Sequence, residues 1–198
     1  MDSTFKAYDQ WMECIRKDDT VPLEGLFQEG LTKEQWIRIL FDCCDRSHDA
    51  EKCLTYAIEW GTNHIENVSN SEIMFVGDQS ILIYASCQDS QKCFSKLLEN
   101  VIRLKLSVDH RTEDHWTALH YCAYNSNKTG CQELLSKGAD ANVVDLNGYS
   151  PLIRAAEAAS PEALSIILAA KPDVNHQNKK KWTALHFAGT PCIYVLVY

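Results

Sequence analysis

The 198-residue chain lacks the patterns by which an enzyme usually declares itself. It has no Gly-rich phosphate loop, no His-Glu-x-x-His and no Gly-x-Ser-x-Gly, the motifs that cradle phosphates, hold a catalytic zinc or present a nucleophilic serine. No nucleophile with its base is visible, so no catalysis and no cofactor are expected. None of the nine cysteines forms a Cys-x-x-Cys pair. A site built from Cys43, Cys44, Cys53 and His48 matches no metal-ligand spacing, and no metal is expected. Apolar runs stop well short of the ~20 residues that span a bilayer, and the N-terminus lacks a signal peptide's apolar stretch. The expectation is a cytoplasmic chain without membrane insertion, nuclear location being the alternative, with reduced cysteines used as small apolar residues. The sequons at Asn67 and Asn127 then carry no meaning.

A basic stripe is also missing. The net charge is −8, and residues 1–76 hold 15 of the 27 acidic and 7 of the 19 basic side chains, which leaves 12 of each in residues 77–198. That balance argues against nucleic acid as the main ligand. The acidic N-terminal part reads as a solvated face, or as one that meets a basic partner.

What the chain does contain is a repeat. Thr117-Ala118-Leu119-His120, Ser150-Pro151-Leu152-Ile153 and Thr183-Ala184-Leu185-His186 begin 33 residues apart, a period that marks stacked helical arrays. Thr117, Ser150 and Thr183 suit the cap of a first helix, and Pro151 suits the position just inside it. Leu119, Cys122 and Ala123, matched by Leu152, Ala155 and Ala156, give that helix a buried stripe with small residues where a neighbour comes close. Leu134-Leu135 and Ile167-Leu168 do the same for a second helix. Gly138 ends it in a left-handed conformation, and Asn147-Gly148 turns the chain before the next cap.

These residues, with Ala139-Asp140-Ala141-Asn142 matched by Pro172-Asp173-Val174-Asn175, resemble the ankyrin repeat. The resemblance covers roughly residues 78–188 and implies an all-α solenoid of stacked helix pairs. Units are assigned at 78–111 (degenerate), 112–144, 145–177 and 178–188 (incomplete). The first starts at Ser80-Ile81-Leu82-Ile83-Tyr84-Ala85, and 37 residues separate Ser80 from Thr117, so four extra residues fall in the Asn100–Asp109 connection. Lys171-Pro172 replaces Gly-Ala after the third unit. A left-handed non-glycine residue costs about 1–2 kcal/mol, so this helix is expected to end another way.

Residues 1–68 read as an acidic helical cap, with a degenerate repeat as the alternative, followed by a linker at 69–77. Phe5, Tyr8, Met12 and Ile15 recur at helical spacing. Thr32-x-x-Gln35 forms a capping box before Trp36, Ile39, Leu40 and Cys43. A further helix runs from Asp49 to Trp60, with Gly61 just past its end. Residues 189–198 read as an apolar, β-prone tail. No second helix is expected after Gly189-Thr190-Pro191, and the chain reads as truncated within its last repeat.

The ankyrin resemblance implies protein binding through the concave face. One residue before each cap stands Trp116, Tyr149 or Trp182, where the repeat pattern demands no aromatic. Such a row supplies hot-spot residue types. Stacking between neighbouring turns is its structural counterpart, and the two uses are compatible. Glu113, Asp114, Leu146, Asn147, Lys179 and Lys180 lie beside it on the turn tips, with Tyr124, Asn125 and Glu157 near the first helices. His110 and His115 read as loop residues, and His120 and His186 as structural. Leu134, eight residues before Asn142, resembles the context in which asparaginyl hydroxylases modify ankyrin repeats, so Asn142 is a candidate for hydroxylation.

The expected function is a monomeric, non-catalytic adaptor for a protein partner. The alternatives are a regulatory or substrate-receptor subunit, as in a ubiquitin ligase, and an inactive truncated isoform. Alanine at Trp116 or Tyr149 is expected to spare folding, and Leu135→Ala to destabilise the stack.

Overall fold

The computed structural model describes residues 3–20, 32–45, 50–64, 79–88, 90–102, 104 and 106–197, with side chains from residue 10 onward. The expected linker at 69–77, the side chains of Phe5 and Tyr8, and His48 lie outside the described residues. Those described form eleven helices: α1 (Ser3–Lys17), α2 (Lys33–Cys43), α3 (Glu51–His64), α4 (Ile81–Gln88), α5 (Gln91–Glu99), α6 (Ala118–Tyr124), α7 (Lys128–Ser136), α8 (Pro151–Glu157), α9 (Pro161–Ala169), α10 (Ala184–Phe187) and α11 (Thr190–Val197). They pair in chain order from α2/α3 to α10/α11. First helices stack as α2, α4, α6, α8 and α10, and second helices as α3, α5, α7, α9 and α11. The fold is an all-α repeat solenoid, in which each pair buries its apolar stripe against the next.

Caps form where the sequence places them. Thr32 Oγ1 accepts from the Gln35 amide at 3.3 Å, and Gln35 Oε1 accepts from the Thr32 amide at 2.9 Å. Ser150 Oγ accepts from the Ile153 amide, with Pro151 in the first turn of α8. At the N-terminal end α1 lies against α2, with Trp11, Cys14 and Ile15 buried. Asp18 Oδ1 accepts from the amides of Lys52 and Cys53, capping the start of α3.

Three expectations are corrected. Gly61 lies inside α3, not past its end. Its missing Cβ leaves room for the indole of buried Trp36, which a methyl group there would penetrate. The Trp36 Nε1–H donates to the Ala57 carbonyl at 2.6 Å, so the ring is held one turn before that glycine. Lys171 stands 33 residues after Gly138 and takes the same left-handed conformation, φ 55° against 87°. The helix therefore closes on the same left-handed residue, Lys171 N–H donating to the Leu168 carbonyl as Gly138 N–H does to that of Leu135, but the bond from the Ala139 amide to the Leu134 carbonyl has no counterpart at Pro172, which lacks an N–H. Finally, residues 190–197 form helix α11, not an extended β-prone tail. The chain leaves α10 at extended Ala188 (φ −67°, ψ 121°), and Pro191 stands in the first turn of α11, where its missing N–H does no harm. Cys192 is buried and α11 rests on α9. The unit begun at residue 178 has both of its helices, the first reduced to one turn.

Candidate protein-binding surface

Three fingers project at the 33-residue interval. Each is closed by a backbone hydrogen bond: Thr112 N–H to Trp116 O at 2.9 Å, and Asp145 N–H to Tyr149 O and Asn178 N–H to Trp182 O at 3.0 Å. The buried first residue also holds its turn by the side chain. Thr112 Oγ1 accepts from the Trp116 amide, Asp145 Oδ1 from the amides of Asn147 and Tyr149, and Asn178 Oδ1 from those of Lys180 and Trp182. The turn residues His115, Gly148 and Lys181 are all left-handed, at φ 62°, 79° and 65°, which gives His115 a conformational role. Neighbouring fingers are tied together by Leu146 N–H to Asp114 O and Lys179 N–H to Asn147 O, each at 3.0 Å. A Cβ on Gly148 would meet the Lys179 nitrogen at 3.1 Å.

His120 joins the fingers to the helices. Nδ1 accepts from the Thr117 amide at 3.2 Å, and Nε2 donates to the Tyr149 carbonyl at 3.0 Å. Burial lowers its pKa to about 4, although the Tyr149 carbonyl and Asp145 favour the charged ring. Because the folded pKa lies below the unfolded value near 6.5, unfolding takes up a proton between the two. The stability due to the neutral ring is fully present above about pH 6.5 and is lost as pH falls toward 4, about 3 kcal/mol in all. Denaturant titrations should show this decline, and His120→Gln should flatten it.

The aromatic row is built around a residue that the sequence reading did not single out. The Arg154 guanidinium carbon lies 4.3 Å from the Trp116 ring centroid and 4.0 Å from that of Tyr149. The same guanidinium pairs with buried Asp145 and with Glu157, the latter at 2.7 Å. Trp116 also touches Tyr121 and Tyr124, at centroid separations of 4.8 and 5.8 Å. Phe187 lies 5.5 Å from Tyr149 and 5.2 Å from Trp182. A second row, Tyr121, Arg154 and Phe187, therefore interleaves with the first. Its own 33-residue spacing was the available signal.

Trp116 and Tyr149 are half-buried, whereas Trp182, Tyr124 and Leu146 are exposed. Glu113, Asp114, Asn147, Lys179 and Lys180 are exposed on the tips, with Asn125 and Glu157 exposed at the ends of the first helices. Asn142 belongs elsewhere, on the connection after the second helix. Its Oδ1 accepts from the Asp173 amide at 2.8 Å, while its own amide donates to Asp140 Oδ1. Asp109 occupies the matching place one unit earlier, accepting from the Asp140 amide at 3.1 Å, and burial raises its pKa.

The cysteines serve as small core residues. All are buried except half-buried Cys87, and burial pushes the thiols of Cys53 and Cys131 up to about 12. The Cys93 thiol donates to the Cys43 carbonyl. Among the described residues no group of three or more His, Cys, Asp or Glu is placed to hold a metal ion. No helix of the described residues is long and apolar enough to cross a membrane.

Comparison with known proteins agrees with this geometry. The family pattern described as ankyrin repeats (3 copies) matches residues 40–145 and 127–196. The B-cell lymphoma 3 protein homolog of Mus musculus is 35% identical over 112 residues, covering 54% of this chain and 24% of that protein. Inversin of Canis lupus familiaris is 32% identical over 135 residues, 65% of this chain and 12% of inversin. The B-cell lymphoma 3 protein of Homo sapiens is 35% identical over 100 residues, 50% and 22% respectively. The chain thus spans a quarter or less of each of these relatives. With the capped helix pairs, the tied fingers and a family match from residue 40 to residue 196, this chain belongs to the ankyrin-repeat family.

Proposed function

We propose that this ankyrin module is a non-catalytic adaptor that binds a protein partner along the concave face spanned by residues 112–182. Repeats of this family indicate protein–protein interaction in general, and the finer assignment rests on one observation. Trp182, Tyr124 and Leu146 are large apolar side chains left exposed beside fingers whose backbone is already hydrogen-bonded. Such a frame holds aromatic anchors rigid before binding, which lowers the ordering cost of association. Acidic Glu113 and Asp114 stand on one outer finger and Lys179 and Lys180 on the other, so charge sets the direction in which a partner lies.

Half-buried Trp116 and Tyr149 have a structural share because they hold Arg154. Alanine at Trp182 or Tyr124 should weaken partner binding about thirtyfold, the equivalent of about 2 kcal/mol, and leave the melting temperature unchanged. Alanine at Trp116 or Tyr149 should lower both. Affinity purification with the wild-type chain, then titration of the recovered partner against each variant, tests the assignment. Full affinity in Trp182→Ala and Tyr124→Ala rejects this face.

Asn142 is proposed as a substrate of an asparaginyl hydroxylase. It is exposed and its side chain bridges two units through Asp173. Mass spectrometry of protein from well-oxygenated cells should find one added oxygen on Asn142, and its absence there rejects the proposal.

A further inference from the structure

The chain shows on its own residues how this face holds a cation. The Arg154 guanidinium lies between the Trp116 and Tyr149 rings, 4.3 and 4.0 Å from their centroids, and pairs with Asp145 and Glu157. Aromatic faces beside carboxylates suit a guanidinium, which is planar, weakly hydrated and able to stack and donate at once. The first finger presents a second setting of that composition to solvent. Glu113 and Asp114 are exposed on it, and Tyr124 is 48% exposed with its ring 5.8 Å from that of Trp116, the residue that closes the finger. The third finger has the opposite sign, with Lys179, Lys180 and Lys181 all exposed beside exposed Trp182. Between them the middle finger carries exposed Leu146 and Asn147 and no exposed charge.

We propose that the face takes one polypeptide segment of the partner, with an arginine at one end, an acidic residue at the other and an apolar residue between. The arginine lies on Tyr124 against Glu113 and Asp114, the apolar residue on Leu146, and the acidic residue against Lys179 and Lys180. A segment with its charges reversed sets like against like at both ends, and a segment of one sign is repelled at one of them. The two charged residues stand two units apart. Stacked helices lie about 8–10 Å from each other, so the separation is about 16–20 Å. That is about five or six residues of extended chain at ~3.3 Å each, or about twelve in a helix at ~1.5 Å each. This assignment gives the partner's chemistry for the face proposed above and rests on that reading.

Panning a random peptide library, long enough for either spacing, on the 198-residue chain should enrich sequences with arginine and an acidic residue at one constant separation. The best enriched peptide, titrated by fluorescence anisotropy, should lose about tenfold or more in affinity for Glu113→Lys with Asp114→Lys, and the same for Lys179→Glu with Lys180→Glu. The four substitutions together should favour the same peptide with its charged residues exchanged, and that recovery also shows that the substituted fingers still fold. Replacing the peptide's arginine by lysine should weaken binding to the wild type, because lysine keeps the charge and loses the planar stacking. Equal affinity for the lysine peptide overturns the choice of arginine. Enriched peptides without a charge asymmetry, or unchanged affinity in both double variants, overturn the proposal but leave the face standing if Trp182→Ala and Tyr124→Ala still weaken binding. A peptide indifferent to those two variants overturns the face as well, and a library that enriches nothing overturns a linear segment as the occupant.

Discussion

Arg154→Ala is expected to lower the free energy of unfolding by about 3–5 kcal/mol, the range found when one partner of a buried ion pair is removed. Both members of the Arg154–Asp145 pair are buried, so the truncation leaves a carboxylate in the core without its counter-charge. It also vacates the space between the rings of Trp116 and Tyr149. The neighbouring unit supplies its own control. There Phe187 and Asn178 stand where Arg154 and Asp145 do, and Asn178 Oδ1 holds its finger as Asp145 does, accepting amides at 2.9 and 3.0 Å. The double variant Arg154→Phe with Asp145→Asn should therefore recover most of the loss, as an apolar replacement of a buried ion pair commonly does. Urea denaturation of the wild type, the single and the double variant measures both effects. A cost below about 1 kcal/mol for Arg154→Ala would place the pair among weak surface bridges and sink this account.

Leu134→Ala should destabilise the stack by about 2–5 kcal/mol, and Leu135→Ala by clearly less. The larger cost follows when a fully buried leucine leaves a cavity that its surroundings cannot fill. Leu134 is 0% exposed on α7, facing the stack, whereas Leu135 is half-buried at its margin. The apolar pattern alone points to Leu135, and the structure moves the effect to its neighbour. Adjacent residues on a helix point about 100° apart, so two leucines in a row satisfy the same apolar pattern while only one faces the core. Chemical denaturation of the two variants in parallel decides the order, and equal losses would contradict it.

The repeat itself was legible because the caps, the Leu119 and Leu152 stripes and Gly138 each serve a local duty that recurs in register. The finger positions of Trp116, Tyr149 and Trp182 were readable on the same ground. What they do there was not, since ring contacts with Arg154 and Phe187 join different units. Asn142 was readable as a position in the pattern, but its bond to the Asp173 amide spans two units as well.

Sequence by itself determined the period, the caps, the all-α class and the use of the cysteines, because these follow from propensity and spacing within one unit. Tertiary structure alone decided the features that depend on a neighbour. Gly61 looks like a helix stop in sequence, yet the Trp36 indole makes it an interior contact. Lys171 looks unable to end a helix as glycine does, yet it takes φ 55° at the position of Gly138. Residues 190–197 have strand-forming side chains, but α9 offers them a helix-shaped apolar surface, and packing overrides a weak local preference. In a solenoid each unit is a local motif whose energy lies largely at its interfaces. A sequence read one unit at a time therefore shows the motif, and only the stacked structure shows what each unit requires of the next.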